Sequence, residues 1–179
     1  MLIRPMLIRA ATTDDAALLH EIAALTFPLA CPPDTLPESI AAFIGANLST
    51  DAFASYLNDP DRDLFLGSID ETPSGYTMVV YGEPSDAEVA ASVALRPTAE
   101  LGKCYALAEA HGSGLATALV EASAIAARAR GAKSLWLGVN QQNVRARRFY
   151  EKCGFSMVGT KRFLVGQRYE DDFVYVLEL

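Results

Sequence analysis

Two stretches of the chain carry residue types at spacings that could do chemistry. The first is His111-Gly112-Ser113-Gly114-Leu115-Ala116, set between an apolar run and a long helical pattern. Glycines at such a junction let the backbone turn tightly and approach a ligand closely. The N–H groups of the first helical turn point outward and, with the helix dipole, form a site for an anion. Many strand-to-helix junctions carry glycine for geometry alone, so this stretch by itself leaves both readings open. Other phosphate loops do not fit: no G-x-x-x-x-G-K-[ST] run exists, and Thr117 stands where a dinucleotide fingerprint needs its third glycine. Ser113 lacks the G-x-S-x-G frame of a hydrolase elbow.

The second stretch is Asn143-Val144-Arg145-Ala146-Arg147-Arg148-Phe149-Tyr150-Glu151-Lys152-Cys153-Gly154-Phe155, which follows the apolar run around Trp136. In that order the two stretches resemble the GNAT acetyltransferase family, with its [QR]-x-x-G-x-[GA] loop and its later N-x-x-A-x-x-F-Y-x-x-x-G-F run. The second motif matches at every marked position. The first matches at Gly114 and Ala116, with His111 where Gln or Arg is usual. The loop between Tyr105 and His111 is also short. Because that loop holds its ligand largely through backbone N–H groups, a changed side chain at its first position bears on contact detail and not on class.

The resemblance implies an α/β fold: a mixed, mostly antiparallel sheet flanked by helices and split by a wedge for the cofactor. It implies transfer of acetyl from acetyl-CoA, the co-substrate, to an amine. The backbone of His111, Gly112, Ser113, Gly114, Leu115, Ala116 and Thr117 would then cradle the pyrophosphate. Ala106 and Leu107 would pair with the pantetheine arm, Asn143 would hydrogen-bond the cofactor, and Ala146 would lie beside it. Tyr150 would protonate the departing thiolate as a general acid. The plainer reading of Tyr150 is an aromatic packed on an amphipathic helix, as expected for Phe149.

An acceptor amine is protonated at neutral pH and must lose a proton before it attacks. Glu100, on the strand before the first motif, is the candidate base, and its plainer reading is a solvated strand-end glutamate. His111 has a suitable ordinary pKa but sits in the anion loop, away from the acceptor. Cys104 and Cys153 have no visible base partner, which argues against a covalent acetyl-cysteine route and for direct attack in a ternary complex. The three cysteines are scattered and there are two histidines, so neither a disulfide scaffold nor a metal site is expected.

The elements that must position these residues can be read in outline. Leu7 to Ala11 predicts a first strand. Thr13-Asp14-Asp15 caps a helix to about Leu25, with Ala17, Leu18, Ile22 and Leu25 on one face. The prolines at 28, 32, 33 and 37 make residues 27–37 a loop. Short helices follow over 39–47 and 50–57. Strands over 64–69 and 76–81 are expected to join through a turn at Pro73-Ser74-Gly75. Residues 82–97 read as a loop with one short helix, and 100–107 as a strand. Helices are predicted over 112–129 and 143–152 around a strand at 134–139. A short strand at 155–159, a turn at 167–172 and a last strand at 173–179 complete a single domain, 1–179.

Composition narrows the class. The chain has 179 residues, of which 51% are hydrophobic, enough for one folded core. The formal net charge of −7 argues against a nucleic-acid partner. The charge is uneven: residues 1–100 hold 4 Lys+Arg and 15 Asp+Glu, whereas residues 101–179 hold 11 and 7. The cofactor half is thus basic, suiting anionic CoA, and the other half is acidic, suiting an amine. Solvated helix faces would give the same imbalance. No membrane-spanning run or signal peptide is read, so a cytoplasmic protein with no membrane partner is expected. A homodimer is compatible with the sequence. Met6 repeats the Met-Leu-Ile-Arg of the start, which leaves residues 1–5 as an expected loose tail.

The segment from Thr13 to Leu57 would shape the acceptor groove. Leu25-Thr26-Phe27, Trp136-Leu137-Gly138-Val139 and Phe163-Leu164-Val165-Gly166 with Asp171-Asp172 look like the polyamine-acetylating branch of the family. The acids Asp14, Asp15, Glu21, Asp34, Glu38 and Asp51 suit a cationic acceptor, though helix capping explains most of them. A polyamine or similar small amine is therefore the leading acceptor. A protein N-terminal amine, of the ribosomal-protein kind, is the rival. A catalytically weak acetyl-CoA-binding regulatory module is the alternative of another class.

Overall fold

The computed structural model describes residues 4–179. Seven strands form one sheet in the order β1-β2-β3-β4-β5-β7-β6. They are β1 Met6–Ala10, β2 Arg62–Ile69, β3 Thr72–Tyr81, β4 Thr98–Ala106, β5 Ser134–Asn140, β6 Ser156–Val165 and β7 Arg168–Glu178. Every neighbouring pair is antiparallel except β4 with β5. Among the described residues six α-helices cover it: α1 Ala16–Ala30, α2 Pro37–Asn47, α3 Thr50–Asn58, α4 Ala87–Ser92, α5 Leu115–Ala129 and α6 Val144–Lys152. This is the mixed, mostly antiparallel α/β architecture expected from the resemblance.

Strand alternation divides the core between the two faces. Val79, Leu101, Leu135, Leu137 and Val139 pack with Val120, Ala124 and Ala127 of α5 and with Phe149 and Tyr150 of α6. On the other face Leu64, Leu66, Tyr76 and Met78 pack with Leu19, Ile22 and Phe27 of α1 and Phe53 of α3. Trp136 and Val174 bury against Val89 and Val93 of and beside α4. Among the described residues no helix is long and apolar enough to cross a membrane.

Two glycines set the position of α5. Gly67 and Gly75 are cross-strand partners on β2 and β3. A Cβ at Gly67 would lie 2.8 Å from Leu115 Cδ1, and one at Gly75 3.2 Å from its Cδ2. Their bare backbone lets the fully buried Leu115 seat the first turn of α5 against the sheet. Truncating such a leucine to alanine costs roughly 2–5 kcal/mol, so the loop before α5 is held firmly from below.

Four expectations need correction. The face of α1 that packs on the core is Ala16, Leu19, Ile22, Ala23, Thr26 and Phe27, whereas Ala17 and Leu25 of the expected face are exposed. Helix α1 continues through Pro28 to Ala30 instead of stopping near Leu25. Pro28 lies in the last turn, where it forfeits one hydrogen bond while the buried Thr26 and Phe27 keep the turn packed. The β2–β3 turn is at Asp70-Glu71, both with positive φ (49° and 64°), and not at Pro73-Ser74-Gly75. A two-residue hairpin loop needs that conformation, and an aspartate tolerates it. Pro73 to Gly75 belong to β3, with a register shift opposite Gly67 and Ser68. Finally, β6 and β7 form one long hairpin through Gly166-Gln167, so residues 167–172 are mostly strand. Charged residues along both strands hide the alternation that marks a strand. Of the expected tail 1–5, residues 1–3 lie outside the described residues. Arg4 Nε donates to Asp70 Oδ2 at 2.6 Å, and the Pro5 carbonyl accepts from Asp70 N–H at 2.9 Å.

Candidate active site

Strands β4 and β5 pair only at Thr98, Ala99 and Glu100, opposite Ser134, Leu135 and Trp136. Beyond Glu100 they diverge. β4 stays bound to β3 as far as Ala106, and β5 to β7 as far as Asn140. The facing edges of residues 101–106 and 137–140 are left open to something else. A cavity of about 190 Å³ lies in this wedge. Its walls come from Glu100 to Tyr105 of β4, Gly138 to Asn140 of β5, Asn143, Ala146 and Tyr150 around α6, and Phe27, Ala30, Cys31 and Pro32 at and just after the end of α1. Lys161 and Val165 of β6 and Glu170 and Asp172 of β7 close it.

The predicted anion loop stands at the same end of the sheet. Gly112 and Gly114 have φ of +79° and +91°, and a Cβ at Gly112 would meet nothing within 4 Å. Gly114 is the N-cap of α5, and the first helical bond is Ala118 N–H to Gly114 O at 3.0 Å. The N–H groups of Leu115, Ala116 and Thr117 therefore precede any helical acceptor. Leu115 N–H is capped by the Ser113 hydroxyl at 3.2 Å, and its side chain belongs to the core. His111 N–H and Ser113 N–H bond the carbonyls of Ala108 and Ala110. The backbone pattern thus fits an anion at Ala116 and Thr117 next to an open glycine. The His111 ring is tied through Nε2 to Ala106 O at 3.0 Å, and Nε2 must be the donor there. His111 is not among the residues lining the cavity.

The remaining predicted residues fall into two groups. Asn143, Ala146, Tyr150 and Glu100 come together on the cavity wall. Asn143 Oδ1 caps α6 by accepting from Ala146 N–H at 3.1 Å, which leaves its amide donors toward the wedge. Ala106 and Leu107 lie just beyond the lining residues, and Leu107 N–H is committed to Ser74 O at 2.8 Å on the β3 side. The unpaired edge the cofactor arm would meet is centred on Leu101 to Tyr105.

Tyr150 reaches the wedge from the α5–α6 face. The Cys104 thiol is among its neighbours, and burial holds the Tyr150 pKa well above the ordinary tyrosine value. The phenol therefore stays protonated and available as a donor. Burial also pushes the Cys104 thiol up to about 12, so it carries no thiolate at neutral pH. Glu100 comes from the opposite face. Gly102 stands as an extra residue where Leu101 pairs with Val79 and Lys103 with Met78. This bulge lets Lys103 reach the Tyr56 ring, at 5.6 Å, while its charge interacts with Glu100. Burial raises the Glu100 pKa against the opposing pull of Lys161, Lys103 and Arg62. Burial likewise lowers Lys103 to about 8.

Four wall residues had no role assigned from sequence: Lys103, Lys161, Glu170 and Asp172. Asp172 pairs in register with both Asn140 and Lys161, across three adjacent strands. Burial raises its pKa to about 6, with Lys161 pulling it down and Glu170 and Asp171 pushing it up. The signal that could have found these residues is charge at inward positions of strand-length segments. It is visible only once the segments are known to be strands.

The chain matches the model of the acetyltransferase (GNAT) family over residues 19–155. It is 45% identical over 165 residues to an uncharacterized N-acetyltransferase of Mycobacterium tuberculosis, covering 92% of this chain and 98% of that protein. The PaiA N-acetyltransferase of Thermoplasma acidophilum, solved with coenzyme A, superposes with a TM-score of 0.77 at 18% identity over 98% of this chain and 99% of that one. The ribosomal-protein-S18-alanine N-acetyltransferase of Escherichia coli gives 0.68 at 19% identity, over 97% and 94%. The split sheet, the glycine loop and the family match converge: the chain belongs to the GNAT family and is an acetyl-CoA-dependent N-acetyltransferase.

Proposed function

We propose that the acceptor is a small primary amine, with a polyamine leading, and that it is acetylated by direct attack. The observation that carries this reading is that Glu100 and Tyr150 enter one small cavity from opposite faces of the sheet. Bound acetyl-CoA supplies the activated thioester. Its arm would lie along the open edge of β4 from Leu101 toward Ala106, with the pyrophosphate at Gly112 to Thr117 and the Asn143 amide alongside.

Glu100 takes the proton from the acceptor ammonium, directly or through a water, and its raised pKa makes it a stronger base than an ordinary glutamate. Tyr150 Oη–H donates to the sulfur as the thioester bond breaks. Cys104, kept protonated by burial, supports direct transfer over an acetyl-cysteine route. Between the acceptor walls, Arg168 Nη1 on β7 donates to Asp34 Oδ2 at 2.9 Å, linking the α1–α2 connection to the β6–β7 hairpin. That clasp and the cavity volume favour a small acceptor over a polypeptide N-terminus, the acceptor named for the Escherichia coli structure.

Thiol release from acetyl-CoA across a panel of polyamines, monoamines and peptides with free N-termini tests the proposal. Turnover with the small amines is expected. Turnover confined to peptides would replace the acceptor, and cofactor binding without any turnover would support a regulatory module instead.

A further inference from the structure

Glu100 and Lys103 stand on one side of the sheet because of a single extra residue. Glu100 pairs with Val80 and Lys103 with Met78, while Val79 between them pairs with Leu101. Val80 and Met78, two apart on β3, face the same way. In an unbroken ladder residue 102 would lie opposite Met78, and Lys103 would turn to the far face with Leu101. The bulged residue Gly102 brings Lys103 round to the side of Glu100 instead. The bulge needs a bare backbone: a Cβ at Gly102 would lie 3.3 Å from Val80 Cγ2 and 3.5 Å from Met78 Cε. Both side chains then line the cavity, half-buried.

Helix α3 supplies a second hold. The Tyr56 ring takes Lys103 Nζ at 5.6 Å and the Arg62 guanidinium at 4.7 Å, and its hydroxyl donates to Asn47 O at 2.9 Å. Three cations act on Glu100: Lys103 on its own strand, Arg62 from β2 and Lys161 from β6. Two of them have a carboxylate of their own. Arg62 Nε pairs with Asp59 Oδ2 at 2.9 Å, and Lys161 is the register partner of Asp172 and favours its charged form. Among the described residues Lys103 has no ion-paired or hydrogen-bonded partner, and Glu100 is the anion that acts on it. The other titratable groups of the cavity are Asp172 and Glu170 from β7, Tyr105 and Cys104 on β4, Tyr150 from α6 and Cys31 after α1. A carboxylate taken out of water needs a nearby cation to stay charged.

We propose that Lys103 is a positioning residue for the acetyl transfer: set beside Glu100 by the bulge and held by Tyr56, its ammonium keeps the carboxylate ionised near neutral pH and so ready to take the acceptor's proton. The proposal rests on Glu100 being the base, as above, and assigns the setting of that base to one lysine. The proton passes from the acceptor ammonium to the Glu100 carboxylate, and Lys103 keeps its own.

Two measurements on the wild type, Lys103→Met and Lys103→Arg test this. The first is a carbon-13 NMR titration of the Glu100 side-chain carboxyl in the CoA-bound protein, its signal assigned by its loss in Glu100→Gln. The second is kcat/KM against pH with putrescine as acceptor. Lys103→Met is expected to raise the Glu100 midpoint by about one pH unit and to move the acid limb of activity with it, about a tenfold loss below the limb. The two activity profiles should meet above about pH 8, where burial leaves Lys103 itself uncharged. Lys103→Arg should restore both readings. CoA affinity reports that each variant is folded, and Lys103→Gln stands in for Lys103→Met if that variant is not. An unmoved Glu100 midpoint overturns the proposal whatever the activity does. An acid limb that vanishes in Glu100→Gln would then leave the base reading standing. A raised midpoint with an unmoved activity limb keeps the effect of Lys103 on the carboxylate but removes Glu100 as the base, and with it the catalytic half of the proposal. If putrescine is not turned over, the carboxyl titration decides alone.

Discussion

The two ends of the wedge are built in different ways. The cofactor end is local: a glycine loop and the helix it opens, then a capped helix start, each within a dozen residues of sequence. It works mainly through backbone, with N–H groups at the start of α5 and the open edge of β4. The acceptor end is assembled from distant pieces, the end of α1, the bulge on β4 and the β6–β7 hairpin, and it works through buried side chains. Backbone chemistry of this kind tolerates a changed side chain such as His111. Side-chain chemistry does not, so the acceptor end is where relatives of one fold can diverge in substrate.

The largest effect is expected where the two ends meet. Tyr150→Phe should lower kcat by about a hundredfold or more while leaving the acetyl-CoA Kd nearly unchanged. Unchanged turnover would remove the acid role and leave Tyr150 as packing. Glu100→Gln should cost a similar factor at neutral pH, and here the pH profile is the sharper reading. Because burial raises the Glu100 pKa from its ordinary value, the base is ionised only above that raised value. Wild-type activity should therefore fall on the acid side from a higher pH than an ordinary glutamate gives. The deficit of Glu100→Gln should shrink as pH rises and the amine loses its own proton. A deficit constant with pH would assign Glu100 to structure.

The contrast also predicts which changes stay at one end. Gly138→Ala would press on Lys161 Cε and Asp172 Oδ2, so the acceptor KM should rise about tenfold while the acetyl-CoA Kd is unaffected. A parallel loss of cofactor affinity would show that the two ends are not separable. The smallest effect is expected at Asp34→Asn, which loosens an exposed ion pair with Arg168. Its acceptor KM should change by no more than about fivefold, and less at high salt.

The same contrast explains what could be read in advance. The α5 loop and the Asn143–Phe155 run were legible because their chemistry is contiguous in sequence. Glu100 was legible because it precedes that loop on one strand. Sheet class and the wedge came with the resemblance. Glu170, Lys161 and Asp172 were not assigned, because polar residues that face a cavity from a strand look like a turn. Residues 167–172 were read that way, although Asp172 pairs with Asn140 inside the sheet. The extension of α1 through Pro28 was hidden for a related reason. Packing of Phe27 and Thr26 outweighs a local signal that, alone, ends a helix. The short Asp70-Glu71 turn was missed because neither residue is glycine, although the two-residue loop demands positive φ at both.

The central claim is that one wedge joins a backbone-held cofactor to a side-chain-built acceptor site, with Tyr150 at the junction. A crystal structure of the wild-type protein with CoA tests it most directly. The account predicts the thiol sulfur between Leu101–Tyr105 of β4 and Gly138–Asn140 of β5, within hydrogen-bond reach of the Tyr150 hydroxyl. A sulfur outside that wedge, or beyond reach of Tyr150, would contradict it.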